Sequence, residues 1–174
     1  LDTLREGGVD GIVVVTRQDD AATATEARAH AARVVVNPDP SRGMLSSIRS
    51  GLRDLASNLS PWPVPVLVTP GDLPGIGKET VRELVRLSGA PGEMAVPVFE
   101  GRRGHPLLVG SDFVPEVFDL DDSVGLRQLL ERHPEALREI PVEDAGILGD
   151  VDTPDDYDRL REKIPEADIV GRRR

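Results

Sequence analysis

The chain contains no cysteine, which excludes a disulfide scaffold, a zinc ribbon and thiol catalysis. Aromatics are scarce: one Trp, one Tyr and three Phe among 174 residues. The core must therefore be built from Val, Leu, Ile and Ala. No stretch approaches the ~20 apolar residues a helix needs to cross a bilayer. The first residues also lack the basic-then-apolar pattern of a secretory signal, so a cytoplasmic protein with no membrane partner is expected. Lysine is almost missing, with Lys78 and Lys163 the two that occur. The formal charge of −10 argues against a nucleic-acid groove, whose affinity rests on phosphate neutralisation by Lys and Arg. It leaves room for a small anionic ligand, because local arginines can outweigh the global field. GxSxG, HExxH and P-loop strings are absent too.

What is present alternates between strand-like and helix-like segments. "LDTLREGG" reads as a helix end stopped by Gly7 and Gly8. "GIVVVT" at 11–16 is a continuous β-branched run, as expected of a buried strand. An Ala-rich helix capped by Asp19 or Asp20 follows, then a short strand "RVVVN". "MLSSIRSGLRDL" places Leu45, Ile48, Leu52 and Leu55 at helical spacing. "PVLVT" is a third strand and "KETVRELVRL" a helix. "EMAVPVFEGRRGHPLLVG" reads as two antiparallel strands around a glycine turn. "DFVPEVFDL" and "SVGLRQLLERHP" are short helical pieces, "LREIPV" and "ILGDV" candidate strands, and "TPDDYDRLREKI" a last helix. The expectation is an α/β fold. It is a single Rossmann-like domain over 1–164, mostly parallel, with helices on both faces, a small antiparallel element and a polar tail over 165–174.

In open parallel sheets, ligands bind beyond the carboxyl ends of the strands, and three polar clusters fall there. In "VLVTPGDLPGI", Asp72 leaves a buried strand. It suits either an Asx-turn or Mg²⁺, which prefers one or two carboxylates with water and phosphate oxygens. In "ILGDVDTP", Asp150 and Asp152 lie two apart, so one of them can face Asp72, while Asp152 or Thr153 can equally cap the next helix. In "SRGMLSSIRSG", the start of a helix offers free N–H groups to an anion or a flat base. Gly43, Ser46 and Ser47 are there, flanked by Arg42 and Arg49, all of which are also ordinary surface residue types. "EGRRGHP" is a hairpin turn whose adjacent Arg102 and Arg103 suit a phosphorylated substrate.

Together "NPDPSRGMLSSIRSGL", "VLVTPGDLPGI", "PVFEGRRGHPLLV", "LRQLLERHP" and "GDVDTPDDY" resemble the MobA-like nucleotidyltransferases, most closely the molybdenum cofactor cytidylyltransferase branch. The resemblance implies transfer of a nucleoside monophosphate from an NTP, CTP favoured, to a molybdopterin-type phosphorylated acceptor, with Mg²⁺ as cofactor and a molybdoenzyme as a possible partner. It implies Asp72 and Asp152, less so Asp150, as metal and catalytic residues. Arg42, Gly43, Ser46, Ser47 and Gly71 would line the nucleotide; Arg102, Arg103, Gly104, His105 and Pro106 would border the acceptor. Family members open with a strand and a loop of the form LAAGxSxRMGxxK. This sequence starts in the helix that would follow, so an N-terminally incomplete domain is expected, or an inactive relative that binds nucleotide or a partner protein.

Overall fold

The β-branched runs of the first half form strands, as their side chains favour. In this computed structural model, which describes residues 1–89, 92–149 and 153, β1 (Val13–Thr16) and β2 (Arg33–Val36) pair in parallel, Val14 opposite Val34. Their crossover is α2 (Ala21–Ala29), capped by Asp20, whose carboxylate accepts the Thr23 amide at 3.1 Å. α1 (Asp2–Glu6) precedes them and ends at Gly7. A Cβ there would lie 2.4 Å from a methyl carbon of Val81, so glycine permits this approach of backbone to side chain.

The second sheet holds β3 (Val66–Val68), β4 (Met94–Phe99), β5 (Arg102–Arg103), β6 (Leu107–Val109) and β7 (Leu137–Pro141). β6 runs antiparallel to both β3 and β4, and β7 runs parallel to β4. It follows that β3, β4 and β7 share one direction and leave the sheet at the same end. β5 and β6 pair with the same strand, but Met94 faces Val109 while Val98 faces Arg103, a two-residue slip. The intervening residues 104–106 thus form a bulge. Bulges are a common way of re-aiming chain next to a binding site. The buried Pro97 lies between the two ladders, where its missing N–H removes no partner from either.

The pleat of β3 assigns one helix to each face. Val66 and Val68 join the cluster containing Leu45 and Leu52 of α3 (Met44–Asn58). Leu67 joins the clusters containing Val81 and Leu84 of α4 (Lys78–Leu87). α3 also covers the first sheet, since a Cβ on Gly51 would lie 3.1 Å from a Val15 methyl carbon. Among the described residues, β1 and β3 each pair along one edge.

The α/β expectation holds, with parallel ladders, helices on both faces and the glycine-turn hairpin in place. The antiparallel element extends beyond that hairpin to take in β3. "ILGDV" departs from its expected strand, because Ala145–Leu148 form a 3-10 turn. The cause is local: the Asp144 side chain accepts the Gly146 amide at 3.0 Å, an Asx-turn that bends the chain before it can extend. The proposed final helix and tail lie outside the described residues.

Leu84 is fully buried at the contact of α4 with Ala95 and Leu108. Leu84→Ala is expected to destabilise the fold by about 2–5 kcal/mol, through lost transfer energy and the cavity left behind. Urea unfolding checks this as a lowered midpoint at unchanged slope.

Candidate active site

The shared direction of β3, β4 and β7 gathers three connections at one end of the sheet: residues 69–77, 100–106 and 142–149. Because Val68 is opposite Leu107, the chain leaving β3 runs beside His105 and Pro106 entering β6. In the first connection Leu73 and Ile76 are buried with Val81. They hold the loop onto the α4 side of the sheet and leave Asp72 between them and the strand. Asp72 is exposed and makes no hydrogen bond or ion pair among the described residues. The Asx-turn alternative for it is therefore not realised. Gly71 beside it is exposed as well, with open space where a Cβ would stand.

The acceptor-side residues divide into open and enclosed. Arg102 is exposed and has no ion-pair partner among the described residues. Arg103 reaches across β4 to Glu139 on β7, Nε to carboxylate 2.7 Å. Gly104 is enclosed, since a Cβ would come within 2.4 Å of the Ile147 carbonyl oxygen. His105 donates its backbone N–H to that same oxygen at 3.0 Å, and Pro106 is buried. A cleft of about 400 Å³ lies beside Arg103, bounded by Arg127, Leu130, Pro134, Leu137 and Glu139.

The start of α3 is more occupied than its sequence suggests. Ser46 is buried; its hydroxyl lies 2.7 Å from both the Gly43 carbonyl and the donating Asn37 side-chain amide. The same Asn37 amide donates to the Ser47 hydroxyl at 3.0 Å. Gly43 is open, with φ +82°, in the left-handed region that favours glycine. Arg42 bonds Asp122 through Nε at 2.7 Å. The buried Arg49 donates to Asp122 and to the carbonyls of Leu120 and Val117, the last at 3.0 Å. Asp122 and Asn37 are thus neighbours of the candidate site that sequence reasoning missed. Asn37 stands inside the quoted loop. Asp122 is 80 residues from Arg42 in the chain, and its one signal was an acidic pair next to a basic-poor turn. The Thr16 hydroxyl, at the end of β1, is buried and has no hydrogen-bond partner among the described residues.

Asp150 and Asp152 lie outside the described residues. Among the described residues no group of three His, Cys, Asp or Glu side chains is close enough to hold a metal ion. Asp72 therefore stands as one exposed carboxylate. That donor set suits a hard cation which keeps its water and takes phosphate oxygens from a substrate, and does not suit an all-protein cage. Lys78 is engaged elsewhere: its ammonium pairs with Glu6 at 3.0 Å, and that hydrogen bond, then the charge behind it, raises its pKa.

The hydrogen bond from Arg42, then the charges of Arg42 and Arg49 and the bond from Arg49, hold Asp122 below the usual carboxylate range against the opposing effect of burial. A carboxylate lowered in the folded state stabilises it fully above its unfolded pKa of about 3.9. That contribution disappears as pH falls through the lower folded value. The difference in thermal midpoint between the native protein and Asp122→Asn is expected to be constant above about pH 5 and to shrink below about pH 4. A pH series of melting curves on both proteins checks it.

The model of the MobA-like NTP transferase domain matches residues 1–137. Nicotine blue oxidoreductase of Paenarthrobacter nicotinovorans is 30% identical over 167 residues, covering 91% of this chain and 79% of that protein. Molybdenum cofactor cytidylyltransferase of Escherichia coli K12 is 26% identical over 135 residues, 76% of this chain and 64% of that protein. Among solved structures, Rv0371c of Mycobacterium tuberculosis in complex with manganese superposes with a TM-score of 0.72 at 25% identity, over 94% of this chain and 83% of that one. The strand exits, the exposed Asp72 and the matched residues agree on one conclusion: the chain belongs to the MobA-like NTP transferase family of nucleotidyltransferases.

Proposed function

We propose that the domain transfers a nucleoside monophosphate from a nucleoside triphosphate, CTP favoured, to a phosphorylated acceptor of the molybdopterin type, releasing pyrophosphate. The observation that supports this most is Asp72, a carboxylate with no partner among the described residues, held at a strand exit just ahead of the buried Leu73 and Ile76 and beside the 102–106 loop. The resemblance of the cytidylyltransferase of Escherichia coli favours CTP and a molybdenum cofactor acceptor. The product's destination would then be a molybdoenzyme.

In this reading an oxygen of the acceptor phosphate attacks the α-phosphorus. The bond from that phosphorus to the bridging oxygen breaks, and pyrophosphate departs with the electron pair. The chain's residues supply alignment and charge, with no covalent intermediate. Asp72, with Asp152 or Asp150, would hold a Mg²⁺ ion, which when bound neutralises charge on the triphosphate. Gly71 lets the phosphates approach the backbone. Gly43 and Ser47 line the base and ribose, while Ser46 and Arg42 hold that wall in place through their bonds to Asn37 and Asp122. Arg102 receives the acceptor phosphate, for which a guanidinium offers two parallel donors. Arg103, Gly104, His105 and Pro106 shape the loop behind it.

A second reading comes from the 30%-identical relative named as an oxidoreductase: the same cleft would then serve an oxidation or reduction. Pyrophosphate release decides between them. With CTP, GTP and ATP each tested against a small panel of phosphorylated acceptors, release is expected to be highest for CTP with molybdopterin. Asp72→Ala is expected to reduce it by about 10²–10³, the scale on which losing one group that stabilises developing charge is felt. Release equal to that of the native protein in Asp72→Ala would remove the metal assignment, and none from any triphosphate would remove the transferase reading.

A further inference from the structure

The segment after β7 touches both loops of the candidate site, yet no side chain in it belongs to either. Asp144 is its pivot. One carboxylate oxygen accepts the Gly77 amide at 2.8 Å and the Thr80 hydroxyl at 2.6 Å. The other accepts the Gly146 amide at 3.0 Å. Gly77 is the N-cap residue of α4 and, as a glycine, has no side chain with which to cap it. Asp144 therefore takes, from 67 residues away, the N-cap amide that a Glu or Gln at the third helical position takes in a capping box.

The contact does not stop at the helix. A Cβ on Gly146 would stand 1.9 Å from the Gly75 carbonyl oxygen, so the two backbones meet with no side chain between them. One residue on, the Ile147 carbonyl accepts the His105 amide at 3.0 Å, and Gly104 packs against the same carbonyl. Residues 144–147 thus grip the Asp72 loop at Gly75 and Gly77 and the acceptor loop at Gly104 and His105. Asp144 bonds at both ends of its short turn, so the position of one loop is tied to that of the other.

We propose that Asp144 is a positioning residue which sets Asp72 relative to the 102–106 loop; this rests on the transferase reading above for its catalytic consequence. Reacting groups must be held to within a fraction of an ångström for phosphoryl transfer to proceed, and a displacement near 1 Å can cost about 10²-fold in rate. Because the Asp144 carboxylate is spent on Gly77, Thr80 and Gly146, its loss should appear in kcat far more than in KM for the triphosphate.

The test is amide hydrogen exchange with kinetics on the native protein, Asp144→Ala, Asp144→Asn and Thr80→Val. In Asp144→Ala, exchange is expected to accelerate in residues 71–77 and also at Gly104 and His105, and kcat to fall by about 10²-fold. Asp144→Asn keeps one acceptor for Gly77 and loses the second oxygen; Thr80→Val removes one donor alone. Both should shift the same segments by less, and they serve if Asp144→Ala does not fold. Acceleration confined to the first turn of α4, with Gly104, His105 and kcat unchanged, would reduce Asp144 to a helix cap and overturn the proposal. Should the native protein release no pyrophosphate, the transferase reading fails, while the exchange pattern still decides whether Asp144 couples the two loops.

Discussion

The common direction of β3, β4 and β7 is the constraint on which the candidate site depends. It follows from two antiparallel ladders through β6 and one parallel ladder to β7. Reversing any one of these strands would carry its following loop to the opposite end of the sheet. With the direction set, the pleat of β3 fixes the depth of the arrangement. Val66 and Val68 go to the α3 side, Leu67 to the α4 side, and the chain emerges between two packed layers. Leu73 and Ile76 then return to the apolar interior, so the polar residue between the strand and Leu73 has only solvent to face. An exposed Asp72 is thus a consequence of hydrophobic burial on both sides of it.

Charge in this molecule is organised locally against its global sign. The formal charge is −10, yet the turn after β4 carries an open Arg102 in the 102–106 loop, while Arg103 is balanced by Glu139. On the other side, Arg42 and Arg49 meet on Asp122, so three charged groups form one wall at the start of α3. The two arginines are not equivalent. Arg49 is buried and spends further donors on backbone carbonyls, which holds residues 117–122 against the helix. Arg42 is largely exposed. The buried Asn37 is held there by its side-chain amide, which donates to two serines.

Much of the fold is legible along the chain. Val13–Thr16, Arg33–Val36 and Val66–Val68 declare themselves through β-branched runs, and Leu45, Ile48, Leu52 and Leu55 through a 3.6-residue period. Asp72 is visible because a carboxylate after an apolar strand is uncommon punctuation. The failure at "ILGDV" is equally instructive. Apolar residues there suggested a strand, but Asp144 closes an Asx-turn on Gly146, and a side-chain bond two residues long outweighs a weak propensity. The enclosed character of Gly104 was hidden as well, because its neighbour Ile147 arrives from 43 positions further on in the numbering.

Residue order alone dictates the class of fold, the family and the identity of the exposed acid at the third strand's exit, since these depend on local periodicity and on short motifs. Which polar groups are free and which are committed was decided by folding. Arg42 with Asp122, Arg103 with Glu139 and Asp144 with Gly77 are contacts between distant segments. Their partners are selected by strand direction and register, which no short stretch of chain encodes by itself.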